Sequence, residues 1–266
     1  MLSRFKIGGV SLTLTFALLA LVIVLFIGLP VAKLIFGSDP SLVWQDLFDE
    51  QVINSVWLTI YTGLIATAIG FVFGLPLAYL LAKRSFPGKS FIEGLVNLPI
   101  VIPHTAAGIA LLFVFGRNFA IGSAFENIGI DFIDSTAGIV IAMLFVSVPF
   151  LIEASKEGFR RVDVRVENVA RTLGASQWQV LRLVTFPLAW RNILSGCLLM
   201  WARGISEFGA VVILTYHPMI APVLVYERLQ THGLADTLPI AALLLIISLI
   251  IFITLRSLLA RGRGHD

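Results

Sequence analysis

Six long apolar runs leave this chain little freedom of fold class. They cover residues 10–36, 52–82, 91–115, 136–154, 193–214 and 238–255. An α-helix rises 1.5 Å per residue, so about 20 apolar residues cross the roughly 30 Å hydrocarbon layer. In lipid every backbone amide and carbonyl needs an internal partner, which helices and closed barrels provide. The runs lack an apolar–polar alternation of period two, so they read as helices and not as barrel strands. Only 13% of the 266 residues are charged, about half the share found in soluble domains. The expected fold class is an all-α membrane protein with six transmembrane helices.

Arg4 and Lys6 precede the first run, as basic residues precede a secretion signal. The run is longer than a signal's apolar core and no A-x-A-like site follows it, so it reads as a retained span. Basic residues set the orientation. With the N-terminus in the cytoplasm, 15 of the 19 Lys and Arg fall on the inner side. Lys33, Arg117 and Arg228 fall outside, and Arg203 lies within the fifth run. So large a bias places both termini in the cytoplasm of a multi-pass cell-membrane protein. The same bias accounts for the isoelectric point near 9.2, so basicity gives no support to nucleic-acid binding. Cys197 is the only cysteine, which excludes an intrachain disulfide.

The loop between the fourth and fifth runs carries the most punctuated segment, ENVARTLGASQWQVLRLVTFP (167–187). Val162, Val166, Val169, Ala170 and Leu173 recur at helical spacing and form an apolar stripe, with Arg160, Arg161, Arg165, Glu167 and Arg171 off it. Gly174 fits a helix stop, and Ser176-Gln177-Trp178-Gln179 reads as a capping box that opens a second helix. Pro187 is expected to end that helix. Two readings fit this helix–turn–helix: a helix lying on the lipid headgroups, or a docking element for a cytoplasmic partner.

Ionisable residues inside a span are costly and line cavities or pair with one another. Arg203 lies about 10 residues, hence about 15 Å, inside the fifth run, and Glu207 follows at i+4. They read either as a mutual ion pair or as part of a central seam that gates an anion path. Ala202, Ser206 and Ala210 form a small-residue ridge that admits a second copy of the chain. In the third run, Pro99 and Pro103 should irregularise the helix, and His104 and Thr105 follow near the midplane. His104 fits a structural hydrogen bond or a pathway contact. Gly70 and Gly74 form a G-x-x-x-G that reads as helix packing.

No metal or catalytic set emerges. His104, His217, His232 and His265 are scattered without zinc-site spacing, and there is no nucleophile-elbow motif. PGKS (87–90) ends like a P-loop, but Lys83 stands where its first glycine belongs, and a span precedes it in place of a strand. The chain therefore reads as a non-enzyme with no bound cofactor.

The 167–187 segment resembles the coupling (EAA) loop of permease subunits of ABC importers of the type I fold. Gly174, Ala170 and Pro187 match that pattern; Asn168 stands at the motif glutamate with Glu167 one residue earlier, and Val169 replaces the first alanine. The resemblance implies a cytoplasmic coupling helix between spans four and five, with Glu167, Asn168, Ala170, Arg171 and Gly174 as the ATPase-coupling residues. Whether Glu167 or Asn168 makes the main contact stays open. From about 51 to 256 the chain is similar to permeases of molybdate/tungstate importers, which are related to sulfate permeases. That similarity is carried by PLAYLLAKRSFPGKS (76–90), LPIVIPHTAAGIALL (98–112), ARTLGAS (170–176), ARGISEFGAVVIL (202–214) and PMIAPVLVYERL (218–229). It implies residues 1–50 as an N-terminal span and outer loop, 51–256 as the transmembrane domain with the coupling loop at about 155–190, and 257–266 as a cytoplasmic tail. It further implies a homodimer, two ATPase subunits holding ATP and Mg, and an extracellular oxyanion-binding protein. Pathway or gate candidates are His104, Thr105, Arg203, Ser206 and Glu207. Sulfate or thiosulfate import is the alternative cargo, and an ion-coupled secondary transporter is the alternative class.

Overall fold

The structure is a computed structural model that describes residues 5–261, with side chains from Leu12 onward except at 255, 256 and 258–261. Arg4, Arg263, His265, the side chains of Lys6, Arg256 and Arg261, and most of the 257–266 tail lie outside the described residues.

Every described element is helical: α1 (Phe5–Phe36), α2 (Pro40–Asp46), α3 (Glu50–Lys83), α4 (Lys89–Val101), α5 (His104–Phe115), α6 (Ala120–Glu126) and α7 (Thr136–Arg161). There follow α8 (Val164–Thr172), α9 (Gln177–Val180), a π-helical turn (Leu181–Thr185), α10 (Phe186–Ile205), α11 (Gly209–Leu214), α12 (Ala221–His232) and α13 (Leu234–Arg261). Short polar side chains open two of the long helices by accepting from orphan amides. Asp49 accepts from Gln51 N at 2.8 Å to start α3, and Ser135 Oγ accepts from Gly138 N at 3.1 Å to start α7.

The centre is a three-helix core of α3, α7 and α10, with α7 the most enclosed. Ile139, Met143 and Val146 of α7 pack with Ala66 of α3 and with Ala107 and Leu111 of α5. Toward the other end, Ile152 and Phe159 meet Ala78, Leu81, Ala189 and Ile193. The two glycines of the G-x-x-x-G sit at these contacts. A methyl on Gly70 would lie 2.5 Å from Met200 Cε, and one on Gly74 would lie 3.2 Å from Ile152. By contrast α1 from Leu12 to Phe36 buries none of its most apolar window and lies at the edge, against α13.

One end of the bundle is basic and the other acidic. Lys83, Arg84, Arg160, Arg161, Arg165 and Arg171 gather at the first, with Asp39, Asp49, Asp131 and Asp134 at the second. At the acidic end Arg228 Nη2 donates to Asp49 Oδ2 at 2.9 Å and Arg117 Nε to Asp131 Oδ2 at 2.8 Å. The hydrogen bond from Arg117 holds the Asp131 carboxyl below the ordinary carboxylate range.

Three expectations need correction. The third run is not one helix: α4 and α5 meet at a 116° bend. Pro103 lacks an amide hydrogen and forces Ile102 out of helical conformation, to φ −73° and ψ 145°. The halves, of 13 and 12 residues, are each under about 20 Å long and too short to cross alone. Five described helices are long and apolar enough to span, or six if the bent pair is counted as one span. The fifth run is also broken. Its helix extends from Gln177 through the π turn to Ile205, opens at 206–208 and resumes as α11. Arg203 therefore stands two residues from a helix end and not mid-helix. Nor does Pro187 end the preceding helix. It lies inside the continuous helix from Gln177 to Ile205, directly after the π turn, whose altered hydrogen bonding accommodates the missing donor.

Candidate functional site: a hairpin and a charged cluster at two helix breaks

At the basic end, Asp163 Oδ1 accepts from Arg165 N at 2.8 Å and opens α8 directly after α7. Gly174 at φ +92° closes it, with Ala175 N donating to Ala170 O at 3.0 Å, the paired i→i+5 bond of a glycine-stopped helix. The capping box forms as the sequence implies: Gln179 Oε1 accepts from Ser176 N at 2.8 Å and Ser176 Oγ from Gln179 N at 3.3 Å.

The hairpin's faces are divided unexpectedly. The sequence places Glu167 among the solvent-facing charges, yet it is buried, whereas Val166, Val169 and Leu173 point outward, Leu173 being 83% exposed. Trp178 and Leu183 extend this apolar ridge, beside exposed Asn168 and Arg171, while Ala170 is half-buried. Glu167 turns inward because its Oε1 accepts from Lys83 Nζ at 3.0 Å and from Thr185 Oγ1 at 2.7 Å. Sequence reading missed both partners. In the sequence Lys83 stood out only as the misfit in the P-loop-like stretch, and nothing local links it to a residue 84 positions later. Next to this joint, Lys156 at the end of α7 pairs with Glu153 at 2.7 Å and with Glu93 of α4 at 3.4 Å.

The second site forms where the two broken spans meet. His104 is the first residue of α5, Arg203 lies near the end of α10, and Glu207 lies in the gap before α11. Glu207 Oε2 is 2.7 Å from His104 Nδ1 and accepts from Arg203 Nη2 at 2.8 Å. Its Oε1 accepts from Ala210 N at 2.8 Å, so both oxygens are held although the side chain is only 1% exposed. Arg203 Nη2 also lies 2.8 Å from His104 Nδ1. Backbones approach closely: a methyl on Gly209 would lie 2.8 Å from His104 Cβ. Thr105 and Ser206 stand exposed at the rim, Ser206 Oγ donating to Arg203 O at 3.0 Å. The pair expected at i,i+4 is thus present, and His104 completes it. The small-residue ridge is split by the break: Ala210 is buried against α5 while Ser206 stays exposed.

Two hollows flank these elements. An apolar groove of about 650 Å³ is lined by Thr59, Trp201, Ala202, Ser206, Leu244 and Phe252. A more polar one of about 750 Å³ at the acidic end is lined by Glu50, Asn54, Trp57, Tyr61 and His217. Among the described residues no group of three or more His, Cys, Asp or Glu is placed to hold a metal ion.

Residues 70–261 match the family model described as the inner membrane component of binding-protein-dependent transport systems. The chain belongs to this family. It is 41% identical over 248 residues to the molybdate/tungstate transport system permease protein of Thermococcus kodakarensis, covering 92% of this chain and 95% of that one. With its counterpart in Pyrococcus furiosus it shares 41% over 255 residues, 95% and 97% of the two chains. The sulfate transport system permease protein of a Synechocystis strain is 31% identical, with 99% and 94% covered. Among solved structures, a bacterial alginate ABC transporter in complex with its pentasaccharide-bound periplasmic protein superposes with TM-score 0.75 at 16% identity, covering 98% of both chains. An inward-facing methionine ABC transporter gives 0.61 at 15% identity, covering 84% of this chain and 96% of that one. The permease therefore has the fold of ABC importer membrane subunits.

Proposed function

We propose that this permease moves molybdate or tungstate into the cell by alternating access, driven by two separate ATPase subunits that seat on the 162–180 hairpin. The observation that carries the proposal is the hairpin itself. An apolar ridge of Val166, Val169, Leu173 and Trp178 is held in the open by a glycine stop and a capping box. A helix presenting apolar residues away from its own bundle is a surface to be covered by protein or lipid, and the family's binding-protein-dependent transport favours protein. The excess of Lys and Arg on the hairpin's side of the spans supports a cytoplasmic hairpin and cytoplasmic termini. Near full-length identity to two relatives named for molybdate and tungstate supports the cargo. The lower identity to sulfate permeases makes sulfate the second reading.

The cluster of His104, Arg203 and Glu207, with Thr105 and Ser206 at its rim, is the pathway gate in this reading. Arg203 and His104 keep 23% and 39% of their side chains exposed within a single chain. Charged groups at bilayer depth face a bundle interior or water and not lipid. A second copy of the permease, seated near Ala202 and Ser206, would enclose that passage. An extracellular binding protein delivers the oxyanion at the acidic end, and ATP and Mg are held by the ATPase partners.

Reconstitution in liposomes with the ATPase and a binding protein loaded with molybdate, tungstate or sulfate tests this. The expected result is nucleotide-dependent uptake of the two heavy oxyanions with sulfate inert. Sulfate uptake of equal efficiency would move the cargo to the second reading. Uptake without nucleotide would overturn the ATP-driven mechanism and make the three-residue cluster a candidate for ion coupling.

A further inference from the structure

We propose that Glu167 is a positioning residue: it clamps the hairpin to the ends of α3 and α10, so that displacement of the hairpin moves both helices as one body. The inference rests on reading the hairpin as the ATPase-docking element.

Glu167 is the one carboxylate of α8 and it is turned inward, its side chain only 6% exposed. Burying a carboxylate is costly unless it is paired and hydrogen-bonded, so the arrangement persists only because its partners meet that cost. Lys83, 11% exposed, is the last residue of α3. Its ammonium lies 3.0 Å from Glu167 Oε1 and donates to Val162 O, the cap of α7, also at 3.0 Å. One ammonium thus ties α3 to both the entry and the middle of the hairpin. Thr185 closes the π turn at the base of α10 and is fully buried. Its hydroxyl has a single proton, and the acceptor at 2.7 Å is Glu167, whereas Val180 O lies at 3.4 Å. The end of α3 and the base of α10 therefore converge on one carboxylate oxygen of α8.

The other side chains of the hairpin that are not exposed are Val162, Ala170, Ala175 and Val180. Apolar contacts are non-directional and tolerate sliding, whereas a charge pair with a hydrogen bond fixes direction and distance. What the clamp holds is itself rigid. A methyl on Gly63 of α3 would lie 2.7 Å from Ile205 and 3.2 Å from Trp201, and Gly70 packs on Met200, so α3 and α10 are seated on each other over several turns. The helix that begins at Gln177 continues to Ile205, beside Arg203 and Glu207. Hairpin motion fastened at Glu167 thereby reaches the cluster at the helix breaks.

The test uses the reconstituted complex with three variants: Glu167→Gln, Thr185→Val, and the double variant Lys83→Met with Glu167→Gln. The double variant leaves no orphaned buried charge, so it keeps the fold while removing the tie. Four quantities are read: ATPase co-purification, ATP hydrolysis, oxyanion uptake and unfolding temperature. The expected result is unchanged assembly and continued hydrolysis with uptake per ATP lower by about two- to thirtyfold, the range of couplings carried by single positions. Unchanged uptake per ATP in folded Glu167→Gln and in the double variant would overturn the proposal. Loss of ATPase association in those variants would overturn it too, by making Glu167 a partner contact. Absence of nucleotide-dependent uptake in the wild type would instead strike the docking reading itself.

Discussion

The permease buries two glutamates, near opposite ends of a single long helix, and solves the same electrostatic problem in two ways. Glu207 takes a cation from four residues earlier, an imidazole from the neighbouring broken span, and the amide of Ala210 just beyond it. Glu167 takes a cation from 84 residues earlier and a hydroxyl from the base of α10. The first arrangement stitches together a place where two helices are interrupted, and the second fastens a surface hairpin to intact helices. The difference teaches where each site can yield. The cluster holds together elements whose own backbone hydrogen bonding is already broken, which suits it to the gate role proposed for it. The hairpin joint binds α3 and the helix that runs on to Ile205, which suits it to the force-transmitting role proposed for it.

Removing Glu207 should have the largest effect on folding. Glu207→Ala leaves Arg203 without its carboxylate and Ala210 N without an acceptor, and should lower unfolding free energy in detergent by about 3–5 kcal/mol. Glu167→Ala should cost less, about 1–3 kcal/mol, because Glu167 holds two partners, Lys83 and Thr185, where Glu207 holds three. An equal or inverted order in thermal unfolding would break the comparison. Next is Gly174→Pro. Proline holds φ near −65° where the hairpin needs +92°, so uptake per ATP should fall by about tenfold or more, as loss of a coupling element predicts. Normal coupled uptake would remove the hairpin from the mechanism.

Leu173→Asp sharpens the contrast from the outside of the hairpin. At 83% exposure the substitution should shift stability by less than about 0.5 kcal/mol. Association with the ATPase, read by co-purification and titration, should weaken by about tenfold, as for an interface anchor. The smallest effect belongs to the acidic end. Arg117 depresses the Asp131 carboxyl, so the pair stabilises the fold above the ordinary carboxylate pKa of about 3.9 and loses that contribution as pH falls through the lowered value. Unfolding temperatures of wild type and Asp131→Asn should therefore differ slightly near pH 6 and draw together as pH falls below the reference carboxylate pKa of about 3.9. A difference that grows on acidification would reverse the sign.

Periodic and local signals were legible, and interruptions were legible only as irregularity. The Gly174 stop, the capping box and the Arg203–Glu207 pair all come from residues within a few positions of one another, and each forms. Pro99 and Pro103 announced a disturbed third span, but a 116° bend depends on what receives the two halves, and that is α7 and α11. Pro187 looked like a terminator because the rule for helix interiors takes no account of the π turn that precedes it.

What the sequence determined by itself was therefore the class of solvent, the number of apolar runs, the uneven placement of basic charge and the local chemistry of the turns. All of these follow from transfer free energy and from hydrogen bonds along the chain. Tertiary structure alone decided that Glu167 faces inward to Lys83 and Thr185, that His104 joins Arg203 and Glu207, and that the stripe of α8 stays uncovered. A buried charge is stable only against particular partners in three dimensions. Those partners lie 18 to 103 residues away along the chain, beyond the reach of any pattern read over a few helical turns.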